Sequence, residues 1–145
     1  MSKQRIEPGG FVLDGSICLA WYFKDEANPY ADAVAARFPD VQAIVPAIWP
    51  LELANAVLVG ERRKRSTEAQ ATRWLNYLSS LAITVDDETS SRAWSDVLRL
   101  GRLHKLSAYD AAYLELAIRQ GLPLATLDDR LKDAATAAGV AEYKP

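Results

Sequence analysis

Short apolar runs alternate with longer stretches of helical periodicity along the chain. The first run, Phe11 to Leu13, ends in Asp14 and is followed by Gly15 and Ser16. This pattern predicts a short buried strand that delivers a carboxylate to its C-terminal end and hands over to a helix. That helix starts at Ser16, carries Ile17, Leu19, Ala20, Trp21 and Phe23, and gives way to Lys24, Asp25 and Glu26. A second helix is expected over 30–38, stopped by Pro39, and a second strand over 43–45, stopped by Pro46. Trp49 and Pro50 open the next helix, because proline in a first turn gives up an N–H that would have had no partner. Leu51, Ala54 and Leu58 recur there as an apolar stripe, and Arg62, Arg63, Lys64 and Arg65 close it. Thr67 and Glu68 begin another helix, with Ala71, Trp74, Leu75, Leu78 and Leu81 as its apolar face. A third strand is expected over 81–85, then a helix over 88–103 whose buried face is marked by Ala93, Trp94, Val97 and Leu98. Ser107 and Asp110 form an S-x-x-D start signal for a helix that Gly121 ends. A fourth strand over 122–126, a terminal helix over 128–138 and an edge strand over 140–143 complete the pattern.

Strand and helix alternating in this way imply right-handed crossovers and a mainly parallel sheet, hence a three-layer α/β/α sandwich. The 145 residues suit one domain, expected over 11–145. Residues 1–10 end in Pro8, Gly9 and Gly10 and are expected to form a mobile leader. Half the residues are apolar and a quarter charged, which excludes a disordered chain. No stretch approaches the roughly 20 apolar residues of a membrane span, and the start MSKQRIEPGG lacks the apolar core of a secretory signal. The expected location is therefore cytoplasmic, without membrane contact. A single cysteine, Cys18, cannot form an internal disulfide, and its apolar neighbours predict a buried, inert thiol. The formal charge of −2 argues against nucleic-acid binding by bulk electrostatics. It leaves a nuclease open, because a dense acidic site lowers the net charge when counted without its metals.

Four acids stand at comparable junctions: Asp14, Glu52, Asp110 and Asp128. Singly, each has an ordinary structural reading. Glu52 and Asp110 lie in first helical turns, where the macrodipole favours negative charge, Asp128 can cap a helix, and Asp14 can sit in a turn. As a set they say more. Ligands of open parallel sheets bind beyond the carboxyl ends of the strands, where Asp14 and Asp128 directly follow apolar runs and Glu52 follows the second strand. Asp110 has no strand immediately before it, so its convergence is the least determined. Four carboxylates facing one another call for divalent cations or bound protons.

The segments FVLDGSICLAWYFKDE, VPAIWPLELANAV, LSAYDAAYLELA and LATLDDRL resemble the four motifs of PIN-domain ribonucleases of the VapC toxin type. The likeness runs from Phe11 to the C-terminus in matching order. It implies a PIN-like fold, an endoribonuclease dependent on Mg2+ or Mn2+, a homodimer, and a small antitoxin protein that blocks the site. The resemblance makes Asp14, Glu52, Asp110 and Asp128 the metal-binding, catalytic acids, with Ser16, Asn55 and Thr126 as polar residues around them. The leader is longer than the family's, and Asp129 is an additional acid.

Hard divalent ions prefer carboxylate oxygen, and the chain offers no thiolate or histidine cluster suited to zinc. His104 is the only histidine and is expected in an exposed loop, which excludes a two-histidine scheme within one subunit. Two ions about 4 Å apart could hold a phosphodiester, activate water and stabilise the leaving oxygen, giving a 5′-phosphate and a 3′-hydroxyl. Asp14 and Asp110 are assigned to the best-held ion, Glu52 and Asp128 to completing the shell or orienting water. The basic run 62–65 suits a solvated helix end, with RNA-backbone contact as the alternative. The tryptophans are spaced as core or interface residues, and nothing marks a base-stacking platform. Two rivals remain: a catalytically weak PIN-fold binding module, and a phosphoacceptor receiver domain, for which Asp128 and Asp129 come too late to form the required acidic pair.

Overall fold

A computed structural model of the chain describes residues 4–145. Its four strands, β1 (Phe11–Leu13), β2 (Ala43–Val45), β3 (Ile83–Val85) and β4 (Leu124–Ala125), form one sheet in the order β3-β2-β1-β4. Every pairing is parallel, with Phe11 opposite Ala43, Val12 opposite Leu124 and Ala43 opposite Ile83. A parallel sheet needs helical crossovers that cover both faces, and this explains why β1 and β2 are apolar at every position and buried throughout.

The helices are α1 (Gly15–Tyr22), α2 (Pro29–Ala35), α3 (Trp49–Arg62), α4 (Glu68–Ser80), α5 (Thr89–Arg92), α6 (Leu98–His104), α7 (Ala108–Gln120) and α8 (Asp129–Ala137). They pack as two groups: α1 lies against α2, α3 and α4, while α7 lies against α6, α8, β1 and β4. Local chemistry sets their ends. Asn28 caps α2, a reciprocal Thr67–Gln70 box caps α4, and Ser107 accepts from the Asp110 N–H to start α7. Gly121 ends α7 with φ of 66°, a left-handed conformation that costs glycine no Cβ clash.

Several expected faces turn differently. The stripe Leu51, Ala54, Leu58 on α3 is exposed, Leu51 by 67%, and the helix instead buries Trp49, Leu53 and Gly60. Both sets have helical spacing, so periodicity alone could not choose between them. Close approach chose: a Cβ at Gly60 would stand 2.9 Å from the Phe23 ring. Trp94, expected in the buried face of its helix, is 94% exposed, and Leu98 and Leu75 are exposed too. A π-helical turn, Ala93–Val97, joins α5 to α6. Its extra residue per turn rotates what precedes it away from the face that buries Val97 and Leu100. The edge strand over 140–143 is reduced to one bridge between Leu124 and Glu142, reinforced by Tyr143 stacked on Phe11 at 3.9 Å.

Part of the leader is laid against the body. The Gln4 side chain donates to the Val85 carbonyl and accepts from the Asp87 N–H, and Glu7 N–H donates to Gln42. Residues 1–3 of that leader lie outside the described residues. Among the described residues no helix is long and apolar enough to cross a membrane.

Candidate active site

Asp14 leaves β1 at its carboxyl end, and two hydroxyls fix it there. Ser16 Oγ and Thr126 Oγ1 donate to Asp14 Oδ2 at 2.6 and 2.7 Å. Both hydroxyls accept from backbone in turn, Ser16 from the Leu127 N–H and Thr126 from the Asp128 N–H. Each hydroxyl thus has its acceptor side occupied and its proton directed to Asp14, so the loop after β4 and the turn after β1 hold one carboxylate together. Asp14 and Thr126 are buried.

Glu52, in the first turn of α3, reaches the same place. Its Oε1 accepts from the Tyr113 hydroxyl at 2.7 Å, and Tyr113 is completely buried. Asp110 arrives from the first turn of α7 and Asp128 from the N-cap of α8, where it also accepts from the Leu131 N–H. Asp14, Ser16, Glu52, Asn55, Asp110 and Asp128 all line one cleft of about 650 Å³. Thr126 lies beneath it through Asp14. Asp129 is exposed in the first turn of α8 and is not part of the lining.

Burial and mutual repulsion act in the same direction on these acids. Burial raises the pKa of Asp14, with the Asp128 charge adding to it against the Ser16 and Thr126 hydrogen bonds. Glu52 is raised by burial and by Asp14 and Asp110, against the Tyr113 hydrogen bond. Asp110 is raised by burial, Asp128 and Asp14, with Ser107 and Arg130 offsetting part. Donors that are all hard oxygen, carrying negative charge that protein cations do not neutralise, fit a divalent cation of the Mg2+ or Mn2+ type.

The four acids are spread around the cleft rather than collapsed on one point. Among the described residues, the only three Asp, Glu, His or Cys side chains with ligand atoms all within 4.8 Å of one another are Asp86, Asp87 and Glu88, after β3. Sequence reasoning missed this group. Arg119 binds Asp86 at 2.7 Å, Glu115 at 2.9 Å and Glu88 at 3.4 Å, and Arg92 also binds Glu88. Charge there is compensated by the protein itself. A glutamate and an arginine one turn apart on α7, Glu115 and Arg119, were the available signal.

Cys18 is buried, and desolvation pushes its thiol up to about 12, which suppresses the nucleophilic thiolate. His104 ends α6 and is half-buried, rather than standing in an exposed loop. Of the basic run, Arg65 is committed: it binds Asp25 at 2.9 Å and Glu26 at 2.8 Å, and its guanidinium lies 3.9 Å over the Phe23 ring.

Fold and cleft together define a parallel α/β domain with an all-oxygen acidic site at the carboxyl edge of its sheet. The chain belongs to the PIN domain family, whose profile matches residues 11–137. It is similar to Ribonuclease VapC3 of Pyrobaculum aerophilum, 27% identical over 122 residues that cover 84% of this chain and 92% of the relative. Among solved structures it resembles PAE2754 of the same organism, with a TM-score of 0.64 at 23% identity over 86% of this chain and 84% of that one. A toxin-antitoxin complex from Klebsiella pneumoniae gives a TM-score of 0.60 at 23% identity, covering 92% of this chain and 98% of its match.

Proposed function

We propose that this protein is an endoribonuclease dependent on Mg2+ or Mn2+ that acts in the cytoplasm as the toxin of a toxin-antitoxin pair. The observation that carries the reading is the placement of Asp14, Glu52, Asp110 and Asp128 around one cleft, three of them with raised pKa values and none in an ion pair among the described residues. Similarity to a ribonuclease and to a toxin-antitoxin complex supports the choice of RNA and of a proteinaceous inhibitor.

The four acids would hold the ion. A bound divalent cation supplies positive charge toward a phosphodiester and lowers the pKa of water. The chain's own residues supply position. Ser16 and Thr126 fix Asp14 through Oδ2, and neither hydroxyl occupies Oδ1. Tyr113 fixes Glu52 through Oε1, and Oε2 would complete the ion's shell or orient water. Asn55 offers an exposed amide on the rim for the RNA strand. Leu19, Phe23, Leu51 and Val59 line the same cleft, so an antitoxin that inserts a cation toward the acids can cover apolar surface beside them. A homodimer would use apolar surface left open on α3 and at Trp94.

The test is cleavage of total RNA by purified protein with Mn2+ and with excess EDTA. Chelation abolishes cleavage, and Asp14→Asn or Asp110→Asn lowers it by roughly a hundredfold or more, about 3 kcal/mol of transition-state stabilisation. Undiminished cleavage in EDTA overturns the metal dependence, and Mn2+ binding without any cleavage turns the protein into a binding module.

A further inference from the structure

We propose that single-stranded RNA is held along one flank of the acid cleft, with phosphates on Lys105 and Arg130 and an unpaired base against Tyr109. This rests on reading the cleft as an RNA-cleaving site. The two segments that deliver Asp110 and Asp128 also wall a second cavity of about 560 Å³, lined by His104, Lys105, Arg130 and Asp133. Arg130 stands in the first turn of α8, two residues after Asp128, so the second cavity adjoins the cleft at the segment that carries that acid. Neither Lys105 nor Arg130 enters any ion pair among the described residues, whereas Arg65, Arg92 and Arg119, which line other cavities, are each paired. Lys105 ends α6 in the left-handed region, with φ of 56°, and its side chain is exposed at the corner between α6 and α7.

Tyr109 sits in that same corner, directly before Asp110. It is 59% exposed and lines the acid cleft. Cations that track a backbone beside an exposed aromatic ring are what single-stranded nucleic acid requires, because a base must be unpaired to offer its face. The lining that α1 and α3 supply pairs no free cation with an exposed ring among the described residues. Leu19, Leu51 and Val59 are apolar, and the Arg65 guanidinium beyond them is held by Asp25, Glu26 and Phe23. In a chain of net charge −2, attraction for a polyanion has to be local, and this corner is where uncompensated positive charge meets the acids.

The experiment measures binding of a short fluorescent single-stranded RNA to the full chain in EDTA over a range of salt. Each lost phosphate contact flattens the slope of log K against log salt by about 0.7, so Lys105→Gln and Arg130→Gln each flatten it by that amount and the double variant by about 1.4. Arg130→Lys keeps the slope. Tyr109→Ala weakens binding by roughly tenfold with the slope unchanged. Arg62→Gln with Arg63→Gln, at the exposed end of α3, alters neither. All these side chains are exposed, and unchanged melting temperatures confirm that the variants fold. A wild-type protein that cleaves RNA with Mn2+ while the double variant keeps the full slope overturns the flank alone. If the double variant loses only binding of an acidic peptide, with its RNA slope intact, the flank is a protein contact and the proposal falls. Wild-type protein that neither binds nor cleaves RNA overturns the reading of the cleft, and the flank with it.

Discussion

Two carboxylates of the cleft are held by hydroxyl groups, and the two arrangements have different consequences. Asp14 accepts hydrogen bonds from Ser16 and Thr126, whose orientation is locked by backbone donors, so the loss of one leaves another. Glu52 relies on Tyr113 alone for a side-chain hydrogen bond among the described residues. Tyr113→Phe keeps the buried ring and removes only this hydrogen bond. Because the hydroxyl favours ionised Glu52, its removal raises the Glu52 pKa further, and ionised carboxylate is the form that binds metal. Mn2+ affinity should fall by roughly 10-fold to 100-fold, with its pH midpoint moved upward, as calorimetric titrations between pH 5 and 8 would show. An unmoved midpoint would make Tyr113 a core residue only. The four acids were visible in the sequence because each stands at a helix start, three of them after an apolar run and Asp110 after the Ser107 cap signal. Tyr113 was not, since a tyrosine within AAYLEL looks like one more apolar position.

At the scale of elements, α7 has two jobs at its two ends. Its first turn presents Asp110 to the cleft, and its last presents Arg119 to Asp86 and Glu88 at the end of β3 and the start of α5. Burial alone would raise the Asp86 pKa, but hydrogen bonds from Arg119 and Thr89 and the Arg119 charge outweigh it, and the net shift is downward. The stability from this pair is therefore present above the ordinary aspartate pKa and is lost as pH falls through the folded value. Arg119→Leu strands two buried carboxylates, Asp86 and Glu115, and should cost about 3–5 kcal/mol at pH 7. Urea denaturation at pH 7 and at pH 3 measures it, and the deficit should shrink at the lower pH. A deficit equal at both would mean that the loss is packing. Strand positions, helix starts and the parallel sheet could be read from apolar runs and caps. Which side of α3 is buried could not, because Leu51, Ala54 and Leu58 repeat as well as Trp49 and Leu53 do, and only the packing of Phe23 against Gly60 decides. Trp94 failed for another reason: a π-turn breaks the 3.6-residue period from which its burial was inferred.

Across the whole molecule, the carboxyl edge of the sheet carries two acidic groups handled in opposite ways. The group after β3 has its counter-charge built in, while the cleft acids enter no ion pair among the described residues, only Arg130 offsetting part of the shift at Asp110, and Asp14, Glu52 and Asp110 show raised pKa values. A raised carboxyl pKa means that the folded state binds more protons than the unfolded one, so stability from these groups is full below about pH 4 and is lost as pH rises through their folded values. At neutral pH the metal-free fold therefore carries repulsion that the sheet and helices hold in place, and a divalent cation held by the acids would relieve it. Asp110→Asn should raise the melting temperature of the metal-free protein at pH 7, change it little near pH 3, and reduce the stabilisation gained on adding Mn2+. For the wild type that gain is about 2.7 kcal/mol with Mn2+ at 100 times its dissociation constant. The alternative gives the opposite sign. If Asp110 serves only the α7 dipole, with Ser107 as the actual cap, removing its charge costs about 0.3–1 kcal/mol, the metal-free melting temperature falls, and the Mn2+ gain is untouched. Scanning calorimetry of wild type and variant, with and without Mn2+ at the two pH values, separates the readings by the direction of a single shift.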